Sequence, residues 1–92
     1  VVCNNERYGT IRMHQERHYP GRVSGTDLGN PDFAALARAH GAWGATVTEG
    51  DAFPAAFAEA AAAGRPALIE LRLDPEALST SKTLSETRAG AR

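Results

Sequence analysis

The rhythm of apolar and polar positions changes several times along this chain. Val1-Val2-Cys3 is a short apolar run that stops at Asn4-Asn5 and reads as strand. Tyr8 and Ile11, or Ile11 and Gln15, stack on one face of a short helix predicted from Tyr8 to about Gln15. Glu16 to Gly29 is polar and rich in Gly and Pro, with a Tyr19-Pro20-Gly21 turn, and is expected to be a loop. Asn30 is placed to cap a second helix and Pro31 to open it; Phe33, Leu36 and Ala37 give its apolar stripe and Gly41 its end. Ala42 to Thr48 reads as a strand. Asp51 is the expected cap of an alanine-rich helix that runs to Ala63 and stops at Gly64. In the last strand, Ala67 to Leu73, Ile69, Leu71 and Leu73 share one face while Glu70 and Arg72 share the other. That alternation predicts a sheet border with one solvated face. Beyond Asp74-Pro75 the polar stretch Glu76 to Arg92 is expected to be a mobile tail, with Thr83-x-x-Glu86 as a capping box for a last helical turn.

This order, β-α-loop-α-β-α-β, predicts an α/β fold: a three-layer parallel sheet flanked by helices, in residues 1–75, followed by a tail in 76–92. Ninety-two residues allow one small domain. A formal net charge of −1 gives no basic field, so nucleic acid and anionic membrane are not expected partners. No apolar run approaches the ~20 residues of a membrane span, and no secretory pattern is present. The single cysteine, Cys3, excludes an intramolecular disulfide and fits a reducing cytoplasm. The chain opens without methionine in what reads as the tail of a strand, so it is expected to be a fragment that is inactive alone and needs a partner surface.

The chemistry is concentrated at the first strand end. In an open α/β sheet, ligands bind outside the carboxyl ends of the strands. An asparagine there offers a neutral, hard oxygen suited to Mg²⁺ or Ca²⁺; a turn or helix cap is the plainer role for the same residues. Three motifs follow one another: Asn-Asn-x-x-Tyr-Gly (Asn4 to Gly9), Asp-Phe-x-x-Leu-Ala (Asp32 to Ala37) and Pro-x-Leu-Ile-Glu (Pro66 to Glu70). The ordered series resembles the C-terminal half of the diphosphate-binding domain of thiamine-diphosphate enzymes, in the acetolactate-synthase-like and benzoylformate-decarboxylase-like branch. The Gly-Asp-Gly that opens that family's motif is absent from this sequence.

The resemblance implies thiamine diphosphate and Mg²⁺ as cofactors, a 2-oxo acid as substrate, and decarboxylation or carboligation as reaction. It further implies a homo-oligomer and the remainder of a parent enzyme as partners. It assigns Mg²⁺ to the side-chain oxygen of Asn5 and the main-chain carbonyl of Arg7. A side chain at one position and a carbonyl two residues on can converge where a strand turns into a helix, and Mg²⁺ commonly shares phosphate oxygens with one or two protein groups. Tyr8, Gly9, Thr10 and Ile11 fall in the expected cofactor-binding stretch; Thr10, Ile11 and His14 fall on the expected substrate wall. Related acetolactate synthases often carry Trp at the position of His14, and some decarboxylases Glu at that of Ile11; this chain has neither. No catalytic residue is expected in the chain itself, because the glutamate that activates the cofactor in this family comes from another domain.

The other chemically suggestive residues read as structural. His14 and His18 lack a third ligand of companion spacing. His40 sits before a cap glycine, where the helix dipole favours a cation. Cys3 is expected to be buried, Arg12, Arg17 and Arg22 to be solvated, and Phe33, Phe53 and Phe57 to be core. The alternative to an enzyme is a non-catalytic α/β interaction or regulatory module. A nucleotide-binding domain lacks its Gly-x-Gly-x-x-Gly or Walker sequence.

Overall fold

The computed structural model describes residues 1–91, so Arg92, the last residue of the expected tail, lies outside it. Three parallel strands, β1 (Val2–Asn4), β2 (Trp43–Val47) and β3 (Ala67–Arg72), form one sheet in the order β1-β3-β2. Four helices accompany them: α1 (Gly9–His18), α2 (Phe33–Ala39), α3 (Phe53–Ala62) and α4 (Leu84–Ala89). The chain divides into two compact units. Among the described residues no helix is long and apolar enough to cross a membrane.

The first unit, Val1–Asn4 with Asn30–Leu73, holds the sheet, α2 and α3. Parallel neighbours need a crossover, and α3 supplies the one between β2 and β3. Val2 pairs with Glu70 and Asn4 with Arg72, while Trp43 to Val47 pair with Ala67 to Leu71. The core is small: Ala34, Ala37, Val47 and Ile69 are its buried apolar members. Helix α2 lies very close to β2. A β-carbon on Gly44 would stand 2.5 Å from the carbonyl oxygen of Ala34, so only glycine permits that approach.

Several expectations are corrected here. The last strand is the centre of the sheet, not its border, and Glu70 is fully buried rather than solvated. Its alternation reflects a buried polar cluster at the sheet end, described below. Cys3 is exposed. On a three-residue edge strand, alternation puts Val2 and Asn4 on one face and leaves Cys3 on the other. The cap of α2 is Asp32, whose Oδ1 accepts from the Ala35 N–H at 3.0 Å; Asn30 and Pro31 precede the helix. Asp51 caps nothing: it sits in a 3-10 turn, Gly50–Ala52, and Pro54 in the first turn of α3 fixes the start instead. Phe57 is exposed, with its ring 5.8 Å from that of Phe53. The expected helix ends at Gly41 and Gly64 are present, with φ of 79° and 66°.

The second unit comprises residues 5–29 and 74–91. Helix α1 continues past Gln15 to His18, so Glu16 is helical, not part of a loop. The tail is structured: it carries α4, opened by the Thr83–Glu86 capping box and held by the buried side chains of Leu84 and Thr87. Glu16, fully buried, accepts from Arg88 Nε and Nη2 at 2.6 and 2.7 Å and so ties α1 to α4. That two-pronged pair holds its carboxyl down to about 2; the Gly21 N–H helps and burial opposes.

Candidate functional site

At the carboxyl end of β1 the two asparagines part company. Asn4 is buried, its Nδ2 donating to Glu70 Oε2 at 2.7 Å and its Oδ1 accepting from Asn30 Nδ2 at 2.8 Å. Glu70 Oε1 in turn accepts from Thr46 Oγ1 at 3.3 Å, and Arg72 Nε lies 3.2 Å from Oε2. Asn4 therefore has its amide engaged at both ends and is not a free ligand.

Asn5 is half-buried and belongs to a different arrangement. Its Oδ1 accepts from the Arg7 N–H at 3.3 Å, closing a turn through Glu6, whose φ is +59°. Arg7 then faces Asp27 in an isolated antiparallel bridge, framed by Tyr8 N–H to the Thr26 carbonyl at 2.9 Å and Leu28 N–H to the Glu6 carbonyl at 2.8 Å. In such a wide pair a residue's own N–H and C=O both face away from the partner strand. The Arg7 carbonyl is thus turned to the same side as its N–H, the side of the Asn5 amide. The Arg7 side chain has a separate role: its charge helps to hold the Glu76 carboxyl below its usual range, after the hydrogen bonds from Ser85.

Helix α1 starts at Gly9 directly after this turn. A β-carbon on Gly9 would stand 3.0 Å from Asn5 Nδ2, so the missing side chain is where the Asn5 amide sits. Arg7, Tyr8, Gly9, Thr10 and Ile11 line one open concavity of about 290 Å³. Tyr8 and Ile11 are each more than half exposed. The turn thus gathers five of the seven expected site residues around one hollow, with Asn5 beneath its glycine. His14 is not among them. It is exposed further along α1, its ring stacked at 6.0 Å on His18, whose Nδ1 lies 3.0 Å from the His14 carbonyl. Among the described residues no three His, Cys, Asp or Glu side chains stand close enough to share a metal.

Behind the helix start, Arg12 is largely buried rather than solvated. Its Nη1 donates to Asp27 Oδ1 at 2.9 Å and Thr26 Oγ1 at 3.3 Å, and Thr26 Oγ1 donates to Gln15 Oε1 at 3.1 Å. These bonds fix the 26–28 segment that pairs with the turn. Their partners are scattered polar residues with no apolar period, so no sequence signal marks them; none marks Glu70 either, whose burial depends on strand order.

Residues 1–71 match the family described as thiamine pyrophosphate enzyme, C-terminal TPP binding domain. The chain is also 35% identical, over 75 residues, to the acetolactate synthase large subunit of Parasynechococcus marenigrum, covering 79% of this chain and 12% of that protein. It is 34% identical, over 74 residues, to the mitochondrial acetolactate synthase catalytic subunit of Saccharomyces cerevisiae, covering 80% of this chain and 11% of that one. The chain spans about an eighth or less of the length of these relatives.

Proposed function

The chain belongs to the family of C-terminal TPP-binding domains of thiamine pyrophosphate enzymes, and from that membership we propose that it is part of a larger Mg²⁺-dependent enzyme acting on 2-oxo acids, by decarboxylation or carboligation, in which it forms one side of the Mg²⁺–diphosphate site. The observation that carries this reading is the Asn5–Arg7 turn. The Arg7 N–H donates to Asn5 Oδ1 at 3.3 Å, and the bridge to Asp27 turns the Arg7 carbonyl to the same side as that N–H. Two neutral hard oxygens beside a position where glycine leaves room suit Mg²⁺, which takes about six oxygens and shares phosphate oxygens readily.

When bound, thiamine diphosphate supplies a nucleophilic thiazolium carbon and an electron sink. This chain's own part is binding and orientation. Asn5 and Arg7 would give the metal no negative charge, so its neutralisation would fall to the diphosphate and to ligands outside these residues, and metal and cofactor are expected to bind interdependently. Tyr8, Gly9, Thr10 and Ile11 present the first turn of α1 to the cofactor, and the hollow they line is one wall of the pocket. His14, further along α1, would face the substrate. A further metal ligand, such as the aspartate of a Gly-Asp-Gly, comes from outside these residues.

Calorimetric titration of thiamine diphosphate at fixed Mg²⁺, in the intact enzyme, tests the assignment. Asn5→Ala is expected to lose a few kcal/mol, roughly a hundredfold in affinity. Arg7→Ala keeps its carbonyl and is expected to bind nearly as the parent does. Parent-like binding by Asn5→Ala would defeat the metal assignment.

A further inference from the structure

We propose that Glu16 is a positioning residue for the cofactor-binding turn, holding α1 in place through Arg88 and the Gly21 N–H. The inference rests on the reading of Gly9, Thr10 and Ile11 as cofactor-binding residues and adds the group that sets their helix. A helix of ten residues is marginal in water without tertiary support. Helix α1 draws little of that support from an apolar face. Glu16 is its one fully buried residue, and Ile11 is more than half exposed. No side chain caps its first turn, and that turn holds no acid.

Polar side chains hold it instead. Arg12, Gln15 and Glu16 are three and four apart and share one face. Arg12 Nη1 donates to Asp27 Oδ1 at 2.9 Å, and Gln15 Nε2 donates to the Ser24 carbonyl at 2.8 Å. Glu16 gathers two further segments. Arg88 of α4 donates to both its oxygens, and the Gly21 N–H donates to Oε2 at 3.2 Å. A buried ion pair is a weak source of stability, but its two parallel bonds fix a geometry. Gly21, Arg88 and the residues lining the hollow all belong to one compact unit. Gly9 lies ~10 Å from Glu16 along the helix, at 1.5 Å per residue. So short a helix moves as a rod, and a shift at Glu16 is passed to the first turn. Arg88 lies beyond residue 71, where the family match ends, so this support comes from outside the matched stretch.

The test titrates thiamine diphosphate by calorimetry at fixed Mg²⁺ into the intact enzyme, and records the urea midpoint of each variant. Arg88→Met keeps a long side chain but donates nothing to Glu16, and is expected to weaken the cofactor by about tenfold. Glu16→Gln combined with Arg88→Met leaves no buried charge unpaired and is expected to give a loss of similar size. If Arg88→Met fails to fold, this double variant decides: weakened cofactor supports the role and parent-like affinity overturns it. Gly44→Ala, in the sheet unit, serves as the stability control; its midpoint is expected to fall while its affinity stays near the parent's. An affinity that simply follows the urea midpoint through Gly44→Ala and Arg88→Met alike overturns the positioning role. So does parent-like affinity in Arg88→Met while Asn5→Ala is impaired. Parent-like affinity in Asn5→Ala overturns the site itself, and the positioning role with it.

Discussion

At the scale of single residues, variants at Gly9 and His14 test the proposed cofactor site. Gly9→Ala adds a β-carbon 3.0 Å from Asn5 Nδ2. Alanine also favours the helix over glycine by up to about 1 kcal/mol. The expected outcome is an unchanged or raised melting temperature together with weaker thiamine diphosphate binding, read by thermal unfolding and calorimetry on the same variant. His14→Ala removes an exposed ring that lies outside the hollow. It is expected to change the relative kcat/KM among 2-oxo acids while cofactor affinity stays near the parent's; a large loss of cofactor affinity would move His14 into the diphosphate site. Asn5 was legible as a candidate only through the ordered series of motifs, since a polar pair ending an apolar run equally suits a turn. Cys3, Arg12 and Phe57 were not, since exposure at one position depends on what the rest of the chain lays over it.

Two element contacts carry measurable consequences. Gly44→Ala forces α2 away from β2, because the new β-carbon would lie 2.5 Å from a backbone oxygen that cannot rotate aside. Overpacking of this kind costs about 1–3 kcal/mol, to be read as a lower urea midpoint. The α1–α4 pair makes stability depend on acid. The carboxyl of Glu16 sits at about 2 in the folded chain, against its ordinary 4.5. Ionised Glu16 therefore contributes fully above about pH 4.5, and the contribution disappears as pH falls through about 2. Arg88→Met is expected to lower the urea midpoint at neutral pH and to flatten its decline over that window. Some decline should remain, because Glu76 and Glu86 are also held low by hydrogen bonds from Ser85 and Thr83. Helix ends at glycine and the capping box of α4 could be read from sequence, being local patterns. The caps of α2 and α3 shifted by a few residues because Asn30 was engaged by a distant strand and a 3-10 turn preceded Pro54.

On the scale of the whole molecule, the alternation of strands and helices was enough to predict a parallel sheet. Strand order was not, since nothing local says that the last strand enters between the other two. As the sheet stands, β1 and β2 each have an outer edge with no strand partner among the described residues. Leu36 and Phe57 are exposed, and an apolar hollow of about 330 Å³ lies between Leu36, Ala42, Pro66 and Leu68. Open edges and bare apolar side chains invite association. The isolated chain is expected to sediment as concentration-dependent oligomers. A monodisperse monomer with a sharp, concentration-independent thermal transition would count against this.

The insertion of β3 beside β1 also has a consequence in time. Asn4 is synthesised before the carboxylate that accepts from its amide, which lies 66 positions later. At ~5–20 residues per second a ribosome needs roughly 3–13 seconds to cover that distance. Throughout that interval β1 lacks β3, its neighbour in this sheet. A nascent chain stalled before β3 would therefore hold Asn4 without its carboxylate partner.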